Sequence, residues 1–253
     1  MRTLFSRENE LDNSDCQAIA SCTDFSNIAD SFRAVLASIV FAGARQSQRV
    51  LIVVSASVGE GKAIMTTNLA VTLANMDCRV FPIDGDIRSP RIHNIFDLDN
   101  SAGLTTVLRQ IALNDVPTDS CIRKTSVPNL HVLRSGPAIQ ASADLLFSTS
   151  MPALVARYRE KYDMVPIDTP TMLFMPDARV LGTVGDAVVL AARAGKTIRS
   201  GIQAAYRRFV EDRTPVLGVV LNDWNSKTSA YKHYAAYNEP RVGHVVKRNH
   251  AGA

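Results

Sequence analysis

The sequence predicts an α/β fold in which a mainly parallel sheet is flanked by helices on both faces. Six short apolar runs rich in β-branched residues recur along the chain, and helical patterns separate most of them. Strands that are buried on both faces have this continuous apolar character, because neither face turns to water. The chain has 253 residues, of which 46% are hydrophobic and 21% charged, so it can bury the core of one such domain.

The first predicted element is an amphipathic helix outside the main sheet, with Ser26 or Asn27 as its N-cap. Its apolar stripe, at spacings of three and four, consists of Ile28, Phe32, Val35, Leu36 and Ile39. The residues before it are polar with little periodicity, which predicts a mobile leader over residues 1–24.

The six predicted strands follow in chain order, at residues 49–55, 80–84, 129–133, 164–168, 186–192 and 216–221. Predicted helices at 61–76, 152–161 and 198–210 lie between them. The chain after residue 222 has no clear periodicity, which predicts a flexible tail. The expected division is therefore a folded domain over 25–224 and a tail over 225–253.

Charge and hydropathy exclude several classes of protein. The formal net charge is +4, and this excess lies in the tail, so the body is electrically balanced. A balanced body argues against a domain that binds nucleic acid along a broad face. The longest apolar runs fall far short of the ~20 residues of a transmembrane helix, and the N-terminus lacks the apolar stretch of a signal peptide. We therefore expect a cytoplasmic protein without a transmembrane segment.

Residues 55–63, Ser-Ala-Ser-Val-Gly-Glu-Gly-Lys-Ala, predict a phosphate-binding loop between a strand and a helix. Gly59 and Gly61 let main-chain N–H groups turn toward phosphate oxygens, and Lys62 is placed to reach the β- and γ-phosphates. The alternative is a glycine turn beside a solvated lysine. The strand, loop and helix together favour nucleotide binding over that alternative.

Two positions depart from the GxxxxGK[ST] pattern of such loops. Ala56 replaces the first glycine, and Ala63 replaces the Ser/Thr whose hydroxyl binds Mg²⁺. Thr66 and Thr67 lie further along the helix and are not expected to reach the same coordination position. The sequence thus predicts that nucleotide binding is retained and that phosphoryl transfer is weakened.

Aspartates end two of the predicted strands. Asp84 and Asp86 end the strand at 80–84, and Asp168 ends the strand at 164–168. They could simply cap helices or satisfy turns, as Asp often does. Because the carboxyl ends of parallel strands form the ligand-binding edge, we expect all three carboxylates to lie at a Mg²⁺–nucleotide site. One carboxylate would then be left over from metal binding and could act as a base. Pro82 and Pro166 lie two residues before the strand-ending aspartates, which predicts either local bulges or a decayed sequence.

These motifs resemble the bacterial tyrosine kinases (BY-kinases) of capsule and exopolysaccharide assembly, within the MinD/ParA-like group of P-loop ATPases. Residues 55–63 look like the family's Walker A motif, 83–90 like its second aspartate motif and 167–170 like its Walker B motif. Further similar segments are 96–104, 130–137, 177–180, 186–190 and 217–222. The resemblance covers about residues 26–238.

The resemblance implies an ATP-dependent protein-tyrosine autokinase with ATP and Mg²⁺ as cofactors. It implies that Lys62 holds the ATP phosphates, that Asp84 and Asp168 organise Mg²⁺, and that Asp86 takes the proton of an incoming tyrosine. The implied nucleotide-binding residues are Ser57, Val58, Gly59, Glu60, Gly61, Lys62, Ala63, Ile64 and Asn222. These residues form the catalytic and cofactor-binding set of the prediction.

The implied phosphoacceptors are Tyr231, Tyr234 and Tyr237, spaced by three in the basic tail. Their alternative role is that of three aromatic residues on a final helix packed against the body. The family's ExxRxxR assembly contact looks like Asp30, Arg33 and Leu36, where two of the three residues differ. The resemblance implies a homo-oligomer. The differences at Asp30 and Leu36 predict that the helix contact through which subunits form a ring is weakened.

The family resemblance also implies a membrane-embedded activator or chain-length determinant protein as partner, and a location at the inner face of the cell membrane. Three functions follow. The first is a tyrosine autokinase that regulates polysaccharide polymerisation or export. The second is a catalytically weakened, nucleotide-binding regulatory paralogue, which Ala63, Pro82, Pro166 and Leu36 favour. The third is a MinD/ParA-type positioning ATPase, whose signature lysine would fall at Ser57, so this third function has the least support.

Overall fold

The structure is a computed structural model that describes residues 27–42, 48–113, 119–137, 142–173 and 175–224. The strands are β1 Val50–Ser55, β2 Ile83–Asp84, β3 Ile122–Lys124, β4 His131–Leu133, β5 Val165–Asp168, β6 Ala187–Arg193 and β7 Val216–Asn222. The helices are α1 Asn27–Ala42, α2 Lys62–Ala74, α3 Ile92–Ile95, α4 Leu104–Ala112, α5 Ser142–Phe147, α6 Ser150–Lys161, α7 Asp177–Val184 and α8 Arg199–Glu211, with a short 3₁₀ turn at Asp119–Cys121. The predicted leader and tail lie outside the described residues.

All seven strands form one sheet in the order β3-β4-β2-β5-β1-β6-β7. Every neighbouring pair is parallel except β3 and β4. The predicted mainly parallel α/β fold is therefore confirmed. The antiparallel edge strand β3 was not predicted, because three residues, two of them half-buried and one exposed, are too few to show a periodicity.

The central strand β1 explains why its sequence is a continuous apolar run. Val50, Ile52 and Val54 belong to one hydrophobic cluster, whereas Leu51 and Val53 belong to a second cluster on the opposite face. All five side chains are at most 1% exposed. Since successive residues of a strand point to opposite faces, helices must cover both faces of the sheet.

Helix α1 confirms the predicted amphipathic helix and covers one of these faces. Phe32, Val35, Leu36 and Ile39 pack into the cluster that contains Leu51. Leu36 is only 6% exposed, so the position that carries the second arginine in the family's assembly pattern belongs here to the core.

Strand β2 is shorter than predicted because Pro82 interrupts its ladder. The main chain of 80–84 still pairs with both neighbours, since Phe81 N donates to Met164 O at 2.9 Å and Leu133 N donates to Pro82 O at 3.0 Å. Proline has no N–H to donate, so only Ile83–Asp84 form a regular strand. Pro166 is accommodated inside β5, opposite Leu51.

The three helices predicted between the strands are present as α2, α6 and α8. The prediction missed α3, α4, α5 and α7, which have at most nine residues each and show too few turns for a clear period. Within the described ranges, no helix combines the length and apolar character that a membrane crossing requires.

Candidate functional site

The phosphate-binding loop predicted at residues 55–63 joins β1 to α2 at the carboxyl edge of the sheet. Gly59 and Gly61 have φ values of 78° and 84°, in the left-handed region that favours glycine. Gly61 is also required sterically, because a Cβ there would lie 1.9 Å from Nδ2 of Asn222. Asn222 lies at the end of β7 and donates from Nδ2 to the Glu60 carbonyl at 3.3 Å, which holds the loop against the sheet.

Lys62 is the first residue of α2, and its side chain is only 8% exposed. Its Nζ donates to Ser55 Oγ at 3.0 Å, and Ser55 Oγ donates to the Ser57 carbonyl at 2.8 Å. The ammonium group is thus held across the mouth of the loop rather than extended into solvent. This arrangement places a fixed positive charge beside the helix N-terminus, where phosphate oxygens bind.

The Glu60 side chain holds the loop from within and is only 2% exposed. Its carboxylate accepts from Ser57 N at 2.9 Å and from Thr197 Oγ1 at 2.6 Å. Glu60 therefore faces the β6–α8 connection, and it can contribute only main-chain groups to a nucleotide. Of the other predicted loop residues, Val58 is 81% exposed at the loop tip, and Ala63 and Ile64 pack against a hydrophobic cluster.

The carboxylates of Asp84 and Asp168 lie side by side at the ends of β2 and β5, which pair in register at these two residues. Both side chains are at most 2% exposed, and one oxygen of each, Oδ1, is buried without a hydrogen-bond partner. Burial raises the pKa of Asp84 to about 7 and raises the pKa of Asp168 well above its ordinary range. Asp84 Oδ2 accepts from Arg91 N at 3.2 Å and from Ile92 N at 3.0 Å, so the Oδ1 atoms are the carboxylate oxygens that can serve a ligand.

Asp86 lies next to this pair and adds further negative charge. The charge of Asp86 contributes to the raised pKa values of both Asp84 and Asp168, whereas the charge of Lys62 acts on Asp168 in the opposite direction. Gly85 N donates to Asp168 O at 3.0 Å, and a Cβ at Gly85 would lie 2.5 Å from that oxygen. The glycine thus permits the close approach that brings the three aspartates together.

The residues present fit a magnesium ion that is shared with a nucleotide. The two unpartnered Oδ1 atoms are hard oxygen ligands, and Mg²⁺ commonly takes one or two carboxylates and completes its shell with water and phosphate. In the described part of the chain, no group of three or more His, Cys, Asp and Glu residues is arranged to hold a metal by itself. A bound phosphate would therefore have to supply part of the coordination.

The hydroxyl that is missing at Ala63 is not replaced by its neighbours. Thr66 Oγ1 donates to the Lys62 carbonyl at 3.0 Å, and Thr67 Oγ1 donates to the Ala63 carbonyl at 2.8 Å. Both hydroxyls therefore turn back along α2, as Ser and Thr often do inside helices. The helix offers no side-chain oxygen at the position of the lost metal ligand.

The structure brings together the predicted loop, Lys62, the three aspartates and Asn222 at one edge of the sheet. The predicted acceptors Tyr231, Tyr234 and Tyr237 lie outside the described residues. Sequence reasoning included Ser55 in the loop without its contact to Lys62, and it missed Thr197, which holds Glu60 in place. Thr197 gives no signal in the sequence, because its contact with Glu60 spans 137 residues.

Comparisons with known proteins find similarity over most of the chain. A family model described as an AAA domain matches residues 48–213. The chain is 34% identical over 209 residues to tyrosine-protein kinase YwqD of Bacillus subtilis, covering 83% of this chain and 86% of that protein. It is 32% identical over 210 residues to putative tyrosine-protein kinase CapB of Staphylococcus aureus, covering 83% and 90%.

Solved structures show the same similarity. The kinase domain of Escherichia coli tyrosine kinase ETK superposes with a TM-score of 0.75 at 25% identity, covering 85% of this chain and 82% of that one. MinD from Pyrococcus horikoshii, complexed with Mg-ADP, superposes with a TM-score of 0.58 at 22% identity over 68% and 69% of the two chains, which shows a shared fold alone.

Proposed function

The chain belongs to the family of bacterial tyrosine-protein kinases, and we propose that it is an ATP-dependent protein-tyrosine autokinase. The observation that carries the proposal is the pair of buried, unpartnered carboxylate oxygens of Asp84 and Asp168 beside the loop of Lys62. A site for a metal–nucleotide complex needs both a cationic phosphate cradle and carboxylates for the metal. Incubation with Mg²⁺-ATP followed by detection of phosphotyrosine tests this function, and the absence of transfer would reject it.

The loop residues bind and orient the triphosphate. Main-chain N–H groups around Gly59 and Gly61 and the N-terminus of α2 provide donors, and Lys62 Nζ provides the charge that faces the β- and γ-phosphates. Asp84 and Asp168 would hold Mg²⁺ through their free Oδ1 atoms. When bound, Mg²⁺ neutralises charge that develops on the phosphates during transfer.

Asp86 is the proposed proton acceptor for the attacking tyrosine hydroxyl. Its Oδ1 accepts main-chain N–H groups from Arg88 at 3.3 Å and Ser89 at 2.9 Å, so the carboxylate has a fixed direction. The tyrosine oxygen then attacks the γ-phosphorus, and the hydroxyl proton passes to Asp86. The bond between the γ-phosphorus and the oxygen that bridges the β- and γ-phosphates breaks. ADP leaves with the electron pair of the broken bond.

Ala63→Thr restores the missing hydroxyl and is expected to raise the rate of autophosphorylation by on the order of 10-fold. Loss of a single residue that supports a metal ligand lowers metal affinity or activity by a similar factor. Ala63→Val is the matched control, because valine has the shape of threonine without its oxygen. Rates of phosphotyrosine formation at limiting Mg²⁺ separate the two variants. Equal rates for both, together with complete loss in Asp84→Asn, would show that the metal is held in another way.

A second candidate function is a catalytically weakened paralogue that binds nucleotide and acts as a regulatory partner. The observation in its favour is that Ala63 lacks the ligand and that Thr66 and Thr67 are both committed to main-chain carbonyls. This candidate predicts ADP binding without measurable phosphotyrosine in the natural sequence. A gain of phosphotyrosine in Ala63→Thr alone would then identify the missing hydroxyl as the cause.

Replacing Tyr231, Tyr234 and Tyr237 together with Phe is expected to remove most phosphotyrosine. Tyr158 is less suited as an acceptor, since it is 1% exposed and donates its hydroxyl to Asp119 at 3.1 Å. Tyr206 is 49% exposed, so Tyr206→Phe is the matched control and should label normally. Undiminished labelling of the triple variant would place the acceptor in the folded body.

We further infer that phosphorylation of the tail weakens a homo-oligomer. The basic tail would be attracted to the acidic site, and each added phosphate contributes roughly −1.5 to −2 charges that cancel the attraction. Light scattering with and without ATP tests this, because the triple Phe variant should keep its size in both conditions.

A membrane-embedded activator and a role in exopolysaccharide or capsule polymerisation complete the proposal, supported by family membership.

A further inference from the structure

An ion pair with one fully buried partner, Asp177, joins the loop that carries Asp86 to the first turn of α7. Arg88 Nε donates to Asp177 Oδ2 at 2.7 Å, and Arg88 Nη2 donates to Asp177 Oδ1 at 3.3 Å. The Asp177 side chain is 0% exposed, whereas that of Arg88 is 41% exposed. A pair of two parallel N–H···O bonds fixes the orientation of the guanidinium as well as its position.

The main chain of the same arginine holds Asp86. Arg88 N and Ser89 N both donate to Asp86 Oδ1, which closes a short turn around the carboxylate. The side chain of Arg88 therefore anchors to α7 the turn whose main chain directs Asp86. Movement of Arg88 would change the direction of the Asp86 carboxylate.

The same anchor reaches the segment that carries Asp168. Helix α7 begins at Asp177, nine residues after Asp168, and the Asp86 loop already approaches that segment through the Gly85 N to Asp168 O bond of 3.0 Å. The ion pair is a second connection between the two segments. The ion pair prevents the loop from rotating about the hydrogen bond between Gly85 N and Asp168 O. It therefore fixes the position of Asp86 relative to the carboxylate of Asp168.

We propose that Asp177 is a positioning residue for phosphoryl transfer, which acts through Arg88 to keep Asp86 directed at the acceptor tyrosine. The proposal rests on the role of Asp86 under the proposed function. Asp177 itself is fully buried and does not touch substrate. A misplacement of about 1 Å at a reacting group can cost about 100-fold in rate, so loss of the pair should reduce turnover and spare nucleotide affinity.

Asp177→Asn tests this with a peptide of residues 227–241 as the acceptor. We expect kcat to fall about 10- to 100-fold, as a misplaced base predicts, while the KM for ATP and the Kd for ADP stay within about twofold. Asp212→Asn is the matched control, because Asp212 forms the same kind of pair with Arg179 on α7, with an Nε–Oδ2 distance of 2.7 Å. The control should leave kcat unchanged.

A double-mutant cycle distinguishes positioning through Arg88 from a separate effect of Asp177. If Asp177 acts through Arg88, then Arg88→Gln combined with Asp177→Asn should lose no more activity than the worse single variant. Multiplied losses, or a wild-type kcat in Asp177→Asn, would overturn the proposal. Arg88→Lys keeps the charge without the bidentate pair, so it provides the same test if Asp177→Asn does not fold. If the wild type itself phosphorylates no tyrosine, the proposed function fails and this inference fails with it.

Discussion

Lys62→Ala is expected to abolish the binding of ADP and Mg²⁺, with a loss of affinity of at least about 100-fold. Lys62 is the cation of the loop, and its Nζ is held at 3.0 Å from Ser55 Oγ before any phosphate arrives. Hydrogen bonds to charged groups contribute about 1.5–3 kcal/mol each, and 1.4 kcal/mol is a factor of ten in affinity. A buried ammonium that faces two phosphates makes more than one such bond, which gives the expected loss.

Titration calorimetry with ADP and Mg²⁺ measures this loss. Lys124→Ala is the control, because Lys124 is an exposed residue of the edge strand β3. Thermal melting of both variants shows whether each is folded, and Lys62→Met preserves the buried stem if the alanine variant unfolds. Equal ADP affinity in wild type and folded Lys62 variants would remove the phosphate-binding interpretation of residues 55–63.

Asp84→Asn is expected to stabilise the nucleotide-free protein at pH 8 and to abolish autophosphorylation. The folded-state pKa of Asp84 is about 7, raised by burial from an ordinary value of 3.8. Between these two values the folded protein holds a proton that the unfolded chain releases, so the free energy of unfolding falls as pH rises. Asparagine has no such proton, so the variant should lack this part of the pH dependence.

The size of the effect follows from the window in which the proton is held. The interval from pH 5 to the folded-state pKa near 7 is about two pH units, and each unit changes the free energy of unfolding by about 1.4 kcal/mol. The free energy of unfolding of the wild type should therefore fall by about 3 kcal/mol between pH 5 and pH 8. Asp168 shifts in the same direction and adds to the loss. Urea unfolding at both pH values measures the difference for wild type and Asp84→Asn.

Asp163→Asn is the control for this pH dependence. The pKa of Asp163 is lowered to about 2, first by its hydrogen bond with Arg79, so Asp163 stabilises the fold above its unfolded pKa near 3.8 and loses that effect only below it. Its removal should leave the slope between pH 5 and pH 8 unchanged. If Asp84→Asn has the same slope as the wild type, the buried carboxyl is already ionised at pH 5 and burial does not raise its pKa as described.

Much of the fold was predictable because buried strands are recognisable in the sequence as continuous apolar runs. β1 is buried on both faces, and each of its five leading residues is apolar for that reason. The carboxyl edge was predictable for a second reason, since Asp84 and Asp168 end apolar runs and parallel strands end together. Their register opposite each other confirms the arrangement that the α/β class implied.

The contacts that hold the site in place were not predictable from the sequence. Glu60 meets Thr197 across 137 residues, and Arg88 meets Asp177 across 89 residues. Neither pair has a local period or spacing, so only the folded chain shows that these side chains are neighbours. Leu36 differs from these pairs, because its place in the predicted apolar stripe already indicated its burial against the sheet, where the family pattern has arginine.

The central claim is that this site transfers the γ-phosphate of ATP to a tyrosine of the same chain. The direct measurement is mass spectrometry of the purified protein after incubation with Mg²⁺ and ATP that carries an isotope label in its γ-phosphate. We expect labelled phosphate on Tyr231, Tyr234 or Tyr237 in the wild type and none in Lys62→Ala. Unlabelled tyrosines in a wild type that binds ADP would contradict the claim.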